Sequence, residues 1–225
     1  MTLSVVVPTF NEEAIIAATL AAARQPGAAE LIVVDGGSQD ETVRLARAAA
    51  DRVVEVERGR ARQMNAGAAV ARGNVLLFLH ADTCPPPAYA VAVERALAEA
   101  GVVGGRFDLR LDAPGFAYRL LERLINARSR LTGVATGDQA IFVRRNVFER
   151  VGGYPPLPLM EDVALCRLLK CAGRLACLRE TVVTSARRWQ QRGVARTVLL
   201  MWALRAAYYA GIPPARLARA YLDAR

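Results

Sequence analysis

The chain has 225 residues and a mass of 24.3 kDa, with 53% apolar and 23% charged residues. This length and composition suit one globular domain with a substantial core, and they exclude a disordered chain, a small disulfide-linked scaffold and a fibrous repeat. Thirty basic and twenty-one acidic residues give a net charge of +9. Because Lys170 is the only lysine, part of this charge reflects an arginine-rich composition and is weak support for a polyanionic partner.

The single histidine and the four cysteines exclude some kinds of metal site and indicate the redox environment. His80 is the only histidine, which excludes a zinc site built from several histidines. The four cysteines have no C-x-x-C spacing, so we expect a reduced, cytoplasmic protein. A strand-like run begins at Leu3 and predicts that no signal peptide is present. No apolar stretch reaches the ~18 residues that indicate a transmembrane helix.

Apolar runs alternate with helical patterns through the first hundred residues. We predict strands at Leu3–Val7, Leu31–Val34, Arg52–Glu57 and Val75–Leu79. We predict helices at Glu12–Arg24, from a capping box at residues 38–41 through Ala50, and at Ala61–Ala71. Strands that are apolar throughout and separated by helices indicate a parallel sheet covered on both faces.

After Gly101 the predicted strands and helices no longer alternate regularly. The pattern predicts, in chain order, a strand at Val102–Leu111, a helix at Gly115–Leu131, a strand at Ala140–Val143 with a helix to Arg150, a helix at Asp162–Cys171, strands at Leu175–Leu178 and Thr181–Thr184, and an apolar helix at Val194–Ala210. We therefore predict an α/β domain over residues 1–190 and a C-terminal helical appendage over residues 191–225.

Polar residues follow the first, second and fourth predicted strands, where an open α/β sheet binds its ligands. These segments begin at Pro8, Asp35 and His80, and each carries a carboxylate. No G-x-G-x-x-G or G-x-x-x-x-G-K-[ST] loop occurs, so a dinucleotide oxidoreductase and a P-loop NTPase fit poorly.

The motifs in this order resemble those of the family-2 glycosyltransferases, which have the GT-A fold. The resemblance rests on V-V-P-T-F-N-E-E, V-D-G-G-S-Q-D-E-T, F-L-H-A-D-T, G-D-Q-A-I-F-V-R-R, M-E-D-V and R-R-W, which span most of the chain. It implies a Rossmann-like, mostly parallel sheet with helices on both faces. The stretches R-A-R-Q-M-N-A-G, G-G-R-F-D-L-R-L and S-A-R-R-W-Q-Q-R-G are similar to one subgroup, the radical-SAM/selenodomain-associated transferases of the arsenosugar-biosynthesis type.

The resemblance implies a nucleotide-diphosphate sugar as donor, with a UDP-sugar favoured. Asp35 would contact the base or ribose, and Pro8, Thr9 and Glu12 would line the same pocket. A carboxylate at a strand end can accept two hydrogen bonds from a ribose or a base, although an aspartate before Gly-Gly is also a common turn residue.

A divalent ion, Mn²⁺ or Mg²⁺, is implied by the family's D-x-D motif, which reads His80-Ala81-Asp82 here. Asp82 would hold the ion against the sugar diphosphate. His80 stands where the family has its first aspartate, and an imidazole ligand suits Mn²⁺ better than Mg²⁺. Without a ligand role, Asp82 would be a turn residue before three prolines and His80 a polar residue at a strand end.

The family's E-D motif implies that Asp162 is the base of an inverting transfer and that Glu161 supports it. Acidic residues are also common in the first turn of a helix because they complement its dipole, so a purely structural role stays open. Asp138 would bind the acceptor or orient the site.

Further along, Arg188 and Trp189 would clamp the diphosphate and stack on a sugar. The glutamine of the Q-x-x-R-W motif of processive enzymes is missing, which favours a single transfer. Arg60, Arg62 and Asn65 would reach the donor diphosphate, unless they belong to a solvated basic face.

The acceptor would be a small molecule or a lipid, with no nucleic-acid partner. The helix predicted at Val194–Ala210 is apolar enough for the core, a homodimer face or peripheral contact with the inner face of a membrane. Two other functions stay open: a sugar nucleotidyltransferase, and a non-catalytic basic protein that binds nucleotides or a membrane.

Overall fold

The computed structural model describes residues 1–223, and the side chains of all of these except residues 29, 188, 192, 222 and 223. The strands are β1 (Leu3–Thr9), β2 (Ala28–Asp35), β3 (Arg52–Glu55), β4 (Val75–Phe78), β5 (Thr83–Cys84), β6 (Val102–Leu111), β7 (Ile141–Arg144) and β8 (Arg174–Thr184). The helices are α1 (Ile16–Ala23), α2 (Thr42–Ala49), α3 (Arg60–Val70), α4 (Tyr89–Ala98), α5 (Phe116–Thr132), α6 (Arg145–Arg150), α7 (Glu161–Ala172), α8 (Arg187–Arg192), α9 (Val194–Tyr209) and α10 (Pro214–Asp223), with a 3-10 helix at Gly137–Gln139.

The eight strands form one sheet in the order β3-β2-β1-β4-β7-β6-β8-β5. Strands β1 to β4 run parallel, which confirms the parallel sheet predicted for the first hundred residues. Strand β7 is antiparallel to both β4 and β6, and β6 and β8 run parallel. The carboxyl ends of β1, β2 and β4 therefore meet at one edge of the sheet.

Helices cover both faces of the sheet, as predicted. Along β1 the side chains alternate: Leu3, Val5 and Val7 join one core cluster, while Val6 joins the other. The first cluster includes side chains of α1 and α4, and the second includes those of α3, α6 and α7. Every residue of β4 is buried, which explains its wholly apolar sequence.

Helix α3 lies unusually close to the sheet at Gly67. A methyl group at this position would lie 2.3 Å from Cγ1 of Val6 and 2.9 Å from Cγ2 of Val34. Gly67→Ala is therefore expected to destabilise the fold by about 1–3 kcal/mol, because overpacking the core outweighs the gain in helix propensity. Chemical denaturation measures this free energy of unfolding. The exposed Ala69→Gly on the same helix reports the propensity term alone, and a Gly67→Ala protein as stable as the wild type would contradict the prediction.

Several predicted element boundaries differ from those of the structure. The segments predicted as two strands at Leu175–Leu178 and Thr181–Thr184 form one strand, β8, whose pairing with β6 is shifted in register between them. Helix α1 begins at Ile16 and not at Glu12; the backbone amide of Glu12 donates to the Thr42 hydroxyl in the turn before the helix.

The capping box predicted at residues 38–41 does not form. The Ser38 hydroxyl donates to Asp35 instead, and α2 begins at Thr42 without a side-chain cap. The reason is that Asp35 binds the turn that follows it, which leaves Ser38 outside the helix.

The C-terminal helices α9 and α10 pack on α7. Leu204 of α9 and Leu217 of α10 are buried in a cluster with Met160, Val163 and Cys166. One side of the helix predicted at Val194–Ala210 is thus part of the core. The division of the chain at residue 190 stays a prediction.

Candidate active site

Two neighbouring turns, after β1 and β2, form the first wall of the site. The buried carboxylate of Asp35 accepts hydrogen bonds from the backbone amides of Gly37 (2.8 Å) and Ser38 (2.7 Å) and from the hydroxyls of Ser38 and Thr9. The Ser38 hydroxyl also accepts from the backbone amide of Asn11 (2.8 Å), which ties the two turns together. Protein donors thus occupy the Asp35 carboxylate, and its predicted contact with a nucleotide stays a prediction. Pro8 lies half-buried just before this wall.

A cavity of about 160 Å³ opens at this edge of the sheet. Its wall combines three carboxylates with two guanidinium groups and an apolar side. The lining residues are Glu12, Asp82, Asp138, Arg60, Arg187, Leu109, Leu111, Ile125, Thr136, Thr184, Ser185, Trp189 and Gln191. Four of the predicted site residues, Glu12, Asp82, Asp138 and Trp189, therefore come together although they are far apart in sequence.

Glu12 is held at the cavity by contacts from two directions. Its backbone amide donates to the Thr42 hydroxyl (2.7 Å), and its carboxylate accepts from the Arg187 guanidinium (3.3 Å). Burial raises the pKa of Glu12; Arg187 opposes this shift and the charge of nearby Asp82 adds to it. Glu12 and Asp82 thus present two neighbouring carboxylates to the same space.

The backbone around Asp82 is fixed on both sides. The carbonyl of Ala81 accepts from the Thr19 hydroxyl of α1 (2.5 Å), and the carbonyl of Asp82 accepts from the amide of Ser185 (3.1 Å). The next residue, Thr83, pairs with Thr184 of β8. Ala81 itself is buried, so its contribution is this backbone contact, while the half-buried Asp82 faces the cavity.

His80 has a different partner from the one predicted. Its Nδ1 lies 3.0 Å from Oδ1 of Asp138, and a methyl group on Gly137 would lie 2.3 Å from its Nε2. The ring thus packs against the 3-10 helix and pairs with Asp138. Within residues 1–223, no cluster of three or more His, Cys, Asp and Glu side chains could hold a metal ion. The metal-ligand role of His80 stays a prediction.

The two acidic residues that open α7 lie behind the cavity. Asp162 accepts hydrogen bonds from the backbone amides of Gly137 (3.0 Å) and Val163 (2.7 Å). Burial raises the pKa of Asp162, although these two amides and the nearby Arg60 oppose the shift. Burial and the charge of Asp162 raise the pKa of Glu161 in turn. Asp162 is therefore joined to the cavity through the 3-10 helix, whose Asp138 lines it.

Helix α3 contributes differently from the prediction. Arg62 pairs with Glu57, with both side chains exposed. The Asn65 carboxamide donates to the backbone carbonyl of Tyr154 (2.8 Å) and accepts from its amide (2.9 Å). Neither residue lines the cavity. The side chain of Arg188 lies outside the described residues.

Arg60 and Arg187 supply the two guanidinium groups in the described wall of the cavity. Arg60 is the first residue of α3, and the carboxylates of Glu161 and Asp138 lie close enough to act on its charge. Arg187 precedes the predicted pair in the R-R-W motif and contacts Glu12. Arg60 lies two residues before Arg62, in the helix segment that the sequence assigns to the donor diphosphate.

Comparison with known proteins gives two kinds of relatives. The undecaprenyl-phosphate 4-deoxy-4-formamido-L-arabinose transferase of Pseudomonas paraeruginosa is 36% identical over 156 residues, which is 63% of this chain and 45% of that protein. The PGL/p-HBAD biosynthesis glycosyltransferase of Mycobacterium bovis is 34% identical over 167 residues, 67% of this chain and 62% of that protein. The chain thus spans about half the length of the curated relatives it matches.

Solved structures share the fold at lower identity. The mannosyltransferase of Pyrobaculum calidifontis, in complex with GDP-Man and Mn²⁺, has a TM-score of 0.66 and 23% identity, covering 91% of this chain and 60% of that one. The glucosyl-3-phosphoglycerate synthase of Mycobacterium tuberculosis, in complex with Mn²⁺, UDP and glucosyl-3-phosphoglycerate, has a TM-score of 0.58 and 23% identity, covering 80% and 70%. The predicted GT-A fold is confirmed. Residues 4–152, more than half of the chain, match the family described as glycosyl transferase family 2, and the chain belongs to that family.

Proposed function

We propose that the chain is an inverting, metal-assisted glycosyltransferase that moves a sugar from a nucleotide-diphosphate sugar to an acceptor hydroxyl. The observation that carries the proposal is the cavity at the carboxyl ends of β1 and β4, where Glu12 and Asp82 face Arg60 and Arg187. Membership of glycosyl transferase family 2 supports the reaction class. A UDP-sugar is the favoured donor.

The donor set of this cavity fits a divalent ion, Mn²⁺ or Mg²⁺. Such an ion needs only one or two protein carboxylates when substrate phosphates and water complete its coordination. Asp82, with Glu12 beside it, offers that number, and the Mn²⁺ present in the two solved relatives supports this assignment. When bound, the ion would supply positive charge to the departing diphosphate. Arg187 and Arg60 supply further positive charge at the same wall.

Asp162 is proposed as the base. The acceptor hydroxyl oxygen bonds to the anomeric carbon, the bond from that carbon to the diphosphate breaks on the opposite face, and the hydroxyl proton passes to Asp162. The raised pKa of Asp162 favours taking up this proton. Because Asp162 does not line the cavity, proton transfer requires the 3-10 helix, whose Gly137 amide binds Asp162, to shift so that the acceptor hydroxyl reaches the carboxylate; Asp138 orients the acceptor from the cavity wall.

The apolar wall formed by Leu109, Leu111 and Ile125, together with Trp189, suits the sugar and the acceptor. A single transfer is proposed because the R-R-W motif lacks the preceding glutamine of processive enzymes. Several relatives carry an undecaprenyl-phosphate substrate in their names, so lipid-linked acceptors are the first class to screen, before small molecules. Membership of the radical-SAM-associated subgroup stays a prediction that rests on the three stretches quoted above.

The proposal is tested first by nucleotide binding. UDP, GDP, ADP and dTDP are screened by thermal shift and calorimetry, with and without Mn²⁺. We expect one nucleoside diphosphate to raise the melting temperature only when Mn²⁺ is present, because a ligand that binds the folded state alone stabilises it. Stabilisation by none of the four under either condition would contradict the proposal. In turnover assays, release of a nucleoside diphosphate supports a glycosyltransferase, whereas release of pyrophosphate would indicate a nucleotidyltransferase.

A further inference from the structure

The net positive charge is concentrated at the C-terminal end of the chain. Residues 181–225 contain eight arginines and one acidic residue, Asp223. The first 180 residues contain twenty-two basic and twenty acidic residues, which nearly balance. A general preference for arginine would spread the excess of basic residues over the whole chain. It therefore does not explain why that excess lies in residues 181–225.

The same segment exposes an apolar helix side. On α9 the side chains of Leu199 (66%), Trp202 (61%) and Tyr209 (57%) are exposed at helical spacing. The exposed alanines on that side are Ala195, Ala203, Ala206 and Ala210, and α9 contains no acidic residue. Its opposite side is the one that packs in the core through Leu204. The exposed side chains of α9 therefore do not contribute to the core of the domain.

Helix α5 has a second exposed apolar side. Phe116 (81%), Leu120 (45%), Leu124 (52%) and Leu131 (88%) are exposed at positions that share one side of the helix. Its only acidic residue, Glu122, is buried and accepts from the backbone amide of Leu111. Exposed arginines at positions 123 and 130 border this side.

Both helices pack against one cluster of buried residues beside the cavity. Tyr118 and Ile125 of α5 pack in one cluster with Val194 and Val198 of α9 and with Trp189. Ile125 and Trp189 also line the cavity. The exposed side chains of α5 (Phe116, Leu120, Leu124 and Leu131) and of α9 (Leu199, Trp202 and Tyr209), here called the apolar face, therefore belong to the two helices that adjoin the cavity wall.

We propose that the apolar face docks on an anionic lipid surface. Amphipathic helices with Trp, Phe and Leu on one side and arginines along its borders bind at the interface of such membranes. A second copy of the chain fits less well, because arginines would meet arginines with no acidic side chain on the face to pair with them. Among residues 1–223, no helix has the length and apolar character of a membrane span. The proposal does not depend on sugar transfer.

Co-sedimentation with vesicles tests the proposal on the full chain. Vesicles of phosphatidylcholine alone are compared with vesicles that also contain phosphatidylglycerol, at low and high salt. We expect binding to the anionic vesicles, weakened by salt, and a blue shift of tryptophan emission that is lost in Trp202→Phe. No binding to anionic vesicles at low salt would overturn the proposal, as would a stable homodimer in light scattering whose dissociation is required before any vesicle binding.

Matched variants distinguish the contribution of the apolar face to vesicle binding from the effect of an added negative charge. The double variant Leu199→Glu, Trp202→Glu is expected to weaken vesicle binding at least about tenfold, and Arg196→Ser about fivefold. Val91→Glu, an equally exposed valine on α4, is the control and should bind within about twofold of the wild type. Melting temperatures establish that each variant is folded. If the double variant binds as tightly as Val91→Glu, the apolar face is not the docking surface.

Discussion

Asp162→Asn is expected to lower the kcat of sugar transfer by about 10²–10⁴-fold, the contribution typical of a positioned base. An amide cannot accept the proton that the acceptor hydroxyl must lose. Donor binding is expected to change little, because Asp162 lies behind the 3-10 helix and does not line the nucleotide cavity. Steady-state kinetics and calorimetric titration of the nucleotide measure the two effects separately.

The control for Asp162→Asn must account for a lost backbone contact. An asparagine can accept from only one of the two amides, those of Gly137 and Val163, which costs about 1 kcal/mol of stability. Asp51→Ala removes a comparable acceptor, since the Asp51 carboxylate accepts from the amide of Leu31 (2.6 Å) and pairs with the exposed Arg24 far from the cavity. It should therefore reproduce the stability change and keep full activity. Normal turnover by Asp162→Asn would show that the base is another group.

The pH dependence of the transfer rate tests independently whether Asp162 is the base. Burial raises the pKa of Asp162, so its charged form is lost at a higher pH than for an exposed aspartate. The rate should consequently fall on the acidic side as the pH drops through this raised pKa. An acidic limb at the pH of an ordinary exposed aspartate would contradict the assignment.

Asp82→Ala is expected to weaken Mn²⁺-dependent nucleotide binding by about a hundredfold or more. Mutation of a residue that only hydrogen-bonds to a metal ligand typically lowers metal affinity about 10–100-fold. Asp82→Ala removes a proposed ligand itself. The fold should be unaffected, because among the side chains that the structure describes Asp82 has one hydrogen-bond donor, Thr83, at a long distance (3.4 Å). Calorimetry with and without Mn²⁺, together with the melting temperature of the free protein, measures both expectations.

Two comparison variants sharpen the Asp82 test. Glu99→Ala removes an exposed carboxylate outside the cavity and should bind nucleotide as the wild type does. His80→Asn should reduce the Mn²⁺ dependence much less than Asp82→Ala, because the His80 ring pairs with Asp138. Equal losses in Asp82→Ala and His80→Asn would favour the ligand role that the H-A-D motif predicts for His80. Unchanged binding in Asp82→Ala would remove the proposed ion site.

The sequence predicts the core of this fold because the core is built from local patterns. Strands β1, β2 and β4 are mostly apolar and buried, and β6 begins and ends at the predicted residues. Helix α4 was not predicted: it begins after Ala88 in a left-handed conformation, and its mixture of alanine and valine gives a weak periodic signal. The continuity of β8 was also not evident, since it depends on pairing with β6 and not on its own residues.

Prediction of the site succeeds where strand ends determine position. Glu12 and Asp82 follow β1 and β4, and the sheet brings them to one edge. The contacts that a side chain makes with residues distant in sequence are not predicted. Asn65 binds the backbone of Tyr154, and His80 binds Asp138, across 89 and 58 residues of chain respectively. No local pattern contains these contacts, so residue type and spacing alone assign both side chains to the donor.

Met160 links the C-terminal helices to the proposed base. It has a φ of +68°, an uncommon conformation for a residue with a side chain, and it directly precedes Glu161 and Asp162. Its buried side chain packs with Leu204 and Leu217, so the last two helices help to hold this turn in place. The N-terminal and C-terminal parts are consequently not interchangeable modules. In a chimera that carries the C-terminal segment of a relative, we expect Asp162 to change position unless that segment supplies apolar side chains that pack against Met160 as Leu204 and Leu217 do.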